Sequence, residues 1–336
     1  LYVHGDLRSA LGPRLRVYNE SLDFTSGGGY SARAIASTEA GADTPIEFNW
    51  VATAATGGYI TAYRWALDLA SITDETPRSD EELDLAHWSV PSAFTTRASL
   101  PPFRNVLPDR PQIHYLYIEA TDNGGNKSLT VIQIAVVKPS FDRPLLVVDD
   151  TRLRADRLLA NGCTQVPSEA WPSAAELDTF MFARGNVPWR CYPAGTLSQP
   201  GVLAGYDFDT LGTRAAEPVV SLRTLGRYRH VLWYVDRQSA TYSGSDVRTS
   251  LITALRYMAA PGRSNALGTW SRQGGKLWLM GGGVATALQL PWERVQPAGG
   301  VYSRTDGELV PGRFMYDLAG WRSEITSRSI CIRPID

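Results

Sequence analysis

The chain has 336 residues, 43% of them hydrophobic and 20% charged, with 33 basic and 34 acidic side chains and a formal net charge of −1. That is apolar material enough for two ordinary domains, and no basic stripe argues for nucleic acid. No apolar run reaches the roughly 18 residues that would cross a bilayer as a helix. Residues 1–44 carry few periodic apolar positions and many Gly, Ser, Ala and Arg residues. They are expected to form an extended N-terminal arm with one strand around residues 15–18, either a tether or a segment that orders against a partner. The chain begins at Leu1 rather than Met. An upstream signal peptide or lipid-anchoring cysteine is therefore compatible with it.

From 45 to 138 the pattern becomes short strands with turn punctuation. Ile46-Glu-Phe-Asn-Trp50, Tyr59-Ile-Thr-Ala-Tyr-Arg-Trp-Ala-Leu67 and Gln112-Ile-His-Tyr-Leu-Tyr-Ile-Glu-Ala-Thr121 all alternate. Asp122-Asn-Gly-Gly125 then turns the chain into Ser128-Leu-Thr-Val-Ile-Gln-Ile-Ala-Val-Val137. The turn suits the positive φ angles of a short hairpin. Strands at this spacing predict a β-sandwich. Trp50, Tyr63-Arg-Trp65 and Tyr117-Ile-Glu-Ala-Thr-Asp-Asn-Gly-Gly-Asn126 give the stretch a further character. On these residues it resembles the immunoglobulin-like or fibronectin type III-like modules of bacterial envelope proteins. The resemblance implies that the Ala and Asp of the last run face inward before the final hairpin.

One feature departs from such a module. An acidic insertion holds Asp68, Asp74, Glu75, Asp80, Glu81, Glu82 and Asp84 against a single Arg78. Hard cations want several oxygen ligands, so a calcium loop is one reading. The insertion lacks the alternating Asp/Asn ladder with a central glycine, which favours a solvated loop with a short helix at residues 80–85.

After Lys138-Pro-Ser-Phe-Asp-Arg-Pro144 the pattern changes again, and 139–336 reads as an α/β domain. Leu145-Leu-Val-Val148 is a continuous apolar run, as in a buried parallel strand, and ends in Asp149-Asp150. A helix follows at residues 173–184, and strands at Val187-Pro-Trp-Arg-Cys-Tyr192 and His230-Val-Leu-Trp-Tyr-Val-Asp236. Ser245 is expected to cap a helix running to Met258, with Val247, Leu251, Leu255 and Met258 on one face. Gly274-Gly-Lys-Leu-Trp-Leu-Met280 is the fourth strand and leads into Gly281, Gly282 and Gly283. Strands alternating with helices predict an open, mostly parallel α/β sheet. The fold class is thus multidomain: an Ig-like β-sandwich followed by that sheet.

Ligands bind such sheets beyond the carboxyl ends of the strands. The candidates there are Asp149, Asp150 and Asp236, as a ligand or ion site, and the triple glycine. The glycines do not make a nucleotide loop, since Val284-Ala285 stands where Lys-Ser/Thr is needed. Leu146-Val-Val-Asp-Asp150 is similar to the acidic pair of response-regulator receivers. The separation of Asp150 from Asp236 is nonetheless too long for one, and Lys276 begins its strand instead of following it. The plain alternative for Asp149 and Asp150 is capping and turn formation.

The order of elements, with residues 145–150, Val231-Leu-Trp-Tyr234, Leu255-Arg-Tyr-Met258 and Gly274-Gly-Lys-Leu-Trp-Leu-Met-Gly281, resembles the class I glutamine amidotransferase-like, flavodoxin-like fold. That resemblance implies a Gly-x-Cys-x-Gly elbow after the last strand and a later His-x-Glu. Here Gly281 matches the first glycine, Gly283 stands in the nucleophile's place, and no histidine follows His230. A nucleophile and its base act as a pair, and losing both removes covalent chemistry. The domain is therefore expected to be catalytically inactive, with Gly281–Gly283 a degenerate elbow. No Gly-x-Ser-x-Gly occurs. A glycosidase pair among Asp207, Asp209 and Asp236 stays open.

The three cysteines, Cys163, Cys191 and Cys331, have no metal-type spacing. Either a Cys163–Cys191 disulfide or free thiols fit. No metal site and no cofactor is expected. Trp50, Trp65, Trp233 and Trp278 fall in strand patterns and are expected in cores. Trp171, Trp189, Trp292 and Trp321 fall beside prolines or glycines in loops and are candidate interface aromatics. The expectation is a non-enzymatic extracytoplasmic scaffold or accessory subunit, peripheral to a membrane, whose partners are other protein subunits of an envelope complex. The alternative is a secreted or periplasmic hydrolase or carbohydrate-binding protein with a β-sandwich accessory module.

Overall fold

The computed structural model describes residues 12–150 apart from 20, 28, 31–34, 55, 56, 80–83 and 109; beyond these it describes 203, 205–213, 219–235, 253–258, 264–281, 284, 297–298 and 301–302. Eight strands come first: β1 (Arg14–Tyr18), β2 (Asp23–Thr25), β3 (Ile35–Gly41), β4 (Ile46–Thr53), β5 (Ile60–Leu67), β6 (Arg97–Leu100), β7 (Gln112–Asp122) and β8 (Lys127–Val137). They form two four-stranded sheets, ordered β2-β1-β4-β6 and β3-β8-β7-β5. Every pairing is antiparallel except that of β3 with β8.

Alternation explains how the sheets meet. Leu15 and Val17, Phe48 and Trp50, Leu116, Ile118 and Ala120, and Ile132, Ile134 and Val136 share one buried cluster between them. Successive side chains on a strand point to opposite faces, so each run of alternate apolar residues supplies one wall of this core. The described part of residues 12–138 is therefore a β-sandwich. Ala120 and Asp122 are both buried at the end of β7. The Asp122 carboxylate accepts from the amides of Gly124 (2.9 Å) and Asn126 (2.8 Å), and Gly125 has φ +76°. A side-chain acceptor plus a left-handed glycine is what fixes so tight a hairpin.

In the stretch expected as an extended arm, the described strands belong to this sandwich. Arg14–Tyr18 pairs with β4, and Ile35–Gly41 lies parallel to β8 with Thr38 opposite Ile134. Small residues in Ile-Ala-Ser-Thr-Glu-Ala-Gly give β3 little hydrophobic signature; its backbone pairing and the burial of Ala36 and Ala40 hold it.

The outer face of the second sheet is also covered. Ala66, Leu69, Trp88, Leu129 and Val131 form a second cluster beneath the acidic insertion. Across it, the Arg64 guanidinium bridges Glu119 (2.8 Å) and Glu75 (2.7 Å) and stacks over the Trp88 ring at 4.5 Å.

The second half follows at once, since β8 ends at Val137 and β9 spans Arg143–Asp149. With β10 (Asp209–Gly212), β11 (Tyr228–Tyr234) and β12 (Lys276–Met280) it makes a parallel sheet ordered β10-β9-β11-β12. Three short helices accompany it: α1 (Leu222–Leu225), α2 (Ala254–Met258) and α3 (Ala266–Arg272). β13 (Pro297–Ala298) and β14 (Val301–Tyr302) form a separate antiparallel pair. Leu146, Val148, Val231 and Trp233 pack one face of the sheet on Leu222, Leu255, Met258, Leu267 and Trp270 from the helices. Val147 and Leu232 on the other face meet Leu203.

Two expectations change here. The helix expected to run from Ser245 to Met258 begins, in its described part, at Ala254, with Thr253 outside it and accepting from the Arg256 amide at 3.2 Å. Trp278, expected in the core, is 54% exposed. Leu277 and Leu279 take the face that packs toward the helices, so Trp278 shares the opposite face with Lys276. The strand expected at 187–192, the helix at 173–184 and all three cysteines lie outside the described residues.

The halves share a seam at β3. α3 packs on β3, the Asn265 amide donates to Ser21 O (2.7 Å) and Thr269 Oγ1 donates to Glu39 O (3.1 Å). Gln273 Nε2 reaches Thr44 Oγ1 at 2.7 Å. Gly41 leaves room for this contact: a Cβ on it would come within 2.2 Å of the Gln273 side chain and displace it.

Candidate functional site

The carboxyl edge of the parallel sheet is where this architecture places chemistry. Four strand ends converge there: Asp149 ending β9 with Asp150 after it, Thr213 after β10, Val235 after β11 and Gly281 after β12. Backbone bonds knit them, from the Asp150 amide to Tyr234 O (3.0 Å), from Thr213 to Asp149 O (3.1 Å) and from Val235 to Met280 O (3.1 Å).

Asp150 is fully buried. Its Oδ1 accepts from Thr213 Oγ1 at 2.7 Å and from the Ala254 amide at 2.6 Å. Its Oδ2 accepts from Trp233 Nε1 at 3.0 Å and from the Leu255 amide at 2.8 Å. Four donors from three other segments thus converge on one carboxylate. Two of them are the first amides of α2, which have no partner within the helix. A helix start beyond a parallel strand is also where an anionic ligand is normally held. Here the chain's own carboxylate fills that position and ties β9, β10, β11 and α2 together. Asp149 is buried too, at 6% exposure. On the same helix Arg256 is buried, and loss of water pushes its guanidinium pKa down to about 10.

Gly281 has φ +109°, and a Cβ on it would lie 2.0 Å from Val235 O. The first glycine of the triple is therefore demanded by close approach to the end of β11, whatever the turn beyond it does. Gly282, Gly283 and Asp236 lie outside the described residues, as do Trp171, Trp189, Trp292 and Trp321. The structure brings Asp149, Asp150 and Gly281 to one edge. Thr213, Trp233, Ala254 and Leu255 complete the arrangement; the apolar strand around Trp233 and the helix expected to end at Met258 signalled parts of it in the sequence, and Thr213 carried no signal.

The described carboxylates of the acidic insertion have partners within the protein. Asp68 accepts from the Tyr115 amide (2.8 Å) and meets His114 Nδ1 (2.6 Å); Asp74 caps the Thr76 amide (2.9 Å). Asp84 accepts from the Ser79 amide and hydroxyl, both at 2.9 Å, and meets His87 Nδ1. The Ser79 amide and the His87 contact hold its carboxyl down at about 2. The described part of the insertion is thus tied down beside the Trp88 cluster, with Glu75 still exposed, and the short helix expected at residues 80–85 falls mostly outside the described residues. Among the described residues no group of three or more His, Cys, Asp or Glu side chains could hold a metal ion.

A cavity of about 330 Å³ lies at the seam, lined by Thr38, Glu39, Ile46 and Phe48 of the sandwich and by Thr269 and Arg272 of α3. Most of its polar groups bond to one another, as in the contacts of Ser21 Oγ with Asn19 Oδ1 and Thr38 Oγ1, both at 3.0 Å.

No family model matches the chain, and no curated protein matches it. Solved structures give distant likenesses. The fibronectin(III)-like modules of Clostridium thermocellum CbhA align at 9% identity and TM-score 0.22, over 38% of this chain and 48% of that one. A 2,6-sialyltransferase of Photobacterium sp. JT-ISH-224 aligns at 9% and 0.21, over 60% and 35%. The extracellular domain of a hybrid two-component system from B. thetaiotaomicron aligns at 11% and 0.20, over 40% and 16%. The aligned part is under two thirds of each of these chains, and scores this low carry no argument about fold or activity.

Proposed function

We propose that the protein is a non-enzymatic scaffold or accessory subunit of an extracytoplasmic, membrane-associated assembly. The observation that carries this reading is the Asp150 carboxylate. It occupies the ligand position of the parallel sheet with four internal donors, so the acid best placed for chemistry is committed to holding the fold.

The parallel-sheet half is read as a degenerate amidotransferase-like domain. The run from Lys276 through Met280 enters the turn at Gly281, Gly283 stands where a nucleophile would be, and no histidine follows His230. The sandwich fits the envelope modules it resembles in its Trp50 core and its Asp122 hairpin. No helix among the described residues is long and apolar enough to cross a membrane. Attachment in this reading runs through a partner or an anchor.

Affinity purification of the full chain from native membranes, with identification of the proteins that travel with it, tests the proposal. A reproducible set of envelope subunits is expected. Recovery as a free monomer with hydrolytic activity that survives removal of every partner would overturn it, and would favour the hydrolase alternative.

A further inference from the structure

We propose that Glu39 is a proton-sensitive clasp between the β-sandwich and the parallel-sheet half, closing the seam in mild acid and loosening it as pH rises. The proposal stands on placement and is independent of the scaffold reading. Glu39 belongs to β3, an edge strand of the sandwich, yet its carboxylate accepts from the Leu222 amide of α1 at 2.7 Å. The same residue binds the other half through its backbone, with Ser264 Oγ accepting from its amide (3.2 Å) and Thr269 Oγ1 donating to its carbonyl. One residue of the sandwich thus holds three separate points of the second half. The half-buried carboxyl also borders the seam cavity, whose lining includes Arg272.

The surroundings decide the sign. On β8, Glu39 lies opposite Ala135 between Ile134 and Val136, which carry no charge. The neighbouring cations are Arg223 on α1 and Arg272 on α3, both exposed, and Lys138, which pairs with Asp43 at 3.5 Å. Among the described residues no ion pair includes Glu39. Burial pushes its pKa up, and the Leu222 amide offsets only part of that. A carboxyl raised in the assembled state favours that state while protonated. Its contribution is complete below the unfolded value of about 4.3 and is lost as pH rises through the folded value. The neutral acid still accepts from Leu222 through its carbonyl oxygen, so closing the seam costs no bond.

Hydrogen exchange of the full chain, corrected for intrinsic exchange, at about pH 4 and about pH 8 tests this. Peptides covering 222–225 and 264–273 are expected to lose protection several-fold at the higher pH, while the hairpin at Asp122 changes little. Glu39→Gln is expected to keep acid-level protection at both pH values, because the amide is a neutral isostere that retains an acceptor. Glu47→Gln, the same charge change elsewhere on the sandwich, is expected to leave the wild-type pH response intact. Seam protection that is independent of pH in the wild type, or a Glu39→Gln protein that keeps the wild-type response or folds less well than wild type, would overturn the proposal.

Discussion

The sandwich and the parallel sheet use buried acids in opposite ways. In the sandwich, Glu119 is buried beneath Arg64 and Lys127 and also accepts from Tyr30 OH at 2.7 Å, so its charge is met by charge. In the parallel sheet, Asp150 is met at Oδ1 and Oδ2 by two amides, a hydroxyl and an indole, and it ties strands to a helix. The first arrangement braces one sheet face from outside. The second fills the position where an open α/β sheet would otherwise receive a ligand. A residue that reads as a ligand or ion site from its place in a sequence can therefore be the keystone of the edge it sits on.

Substitutions can break this contrast in order of expected effect. Asp150→Ala leaves four donors without their acceptor, two of them backbone amides, and is expected to destabilise the protein by about 3–5 kcal/mol. Chemical denaturation measures it. A functional acid would behave differently, since its removal commonly leaves stability unchanged or raised. Glu119→Gln keeps the shape but removes the charge facing Arg64 and Lys127, while Glu75 still holds Arg64 from the other side. About 2–3 kcal/mol is expected, read from the same midpoints. Gly281→Ala forces a Cβ against Val235 O at an unfavourable φ, and about 2 kcal/mol is expected, as a loss of melting temperature.

The smallest effect comes from pH and sharpens the contrast by sign. Asp74, Glu75 and Asp84 are all held below their ordinary values. For Asp84 the Ser79 amide and the His87 ring are the causes; for Glu75 it is the Arg64 guanidinium. Groups held down contribute above their unfolded values, near 4, and lose that contribution as pH falls through the folded ones. The insertion is therefore expected to loosen in acid, where the Glu39 seam tightens. Limited proteolysis within 68–87 at about pH 7 and about pH 3 should show faster cutting at the lower pH.

Much of the sandwich was legible in the sequence because its strands alternate. The stretches at 46–50, 59–67, 112–121 and 128–137 correspond to β4, β5, β7 and β8 within a residue or a few. β3 was not legible, since Ala, Ser, Thr and Gly carry no apolar period and parallel pairing with a strand 96 residues away does the work, as in Ile35 with Val131 and Gly41 with Val137. β10 hides in the same way behind Asp-Thr-Leu-Gly. The misplacement of Trp278 has a different cause. A continuous apolar run does not say which of its faces a neighbour will cover. Asp150 was visible as a candidate but its role was not, because Thr213, Trp233, Ala254 and Leu255 come together only in space. The one local hint was Thr253, a capping residue type just before Ala-Leu-Arg-Tyr-Met.

The most direct test of the claim that Asp150 seals the edge of the sheet is native-state hydrogen exchange at the Ala254 and Leu255 amides. Amides bonded to a buried carboxylate at 2.6 and 2.8 Å are expected to exchange only through global unfolding, as slowly as the core of β9. Exchange at the rate of an open helix start would contradict it, and would return Asp150 to the candidates for chemistry.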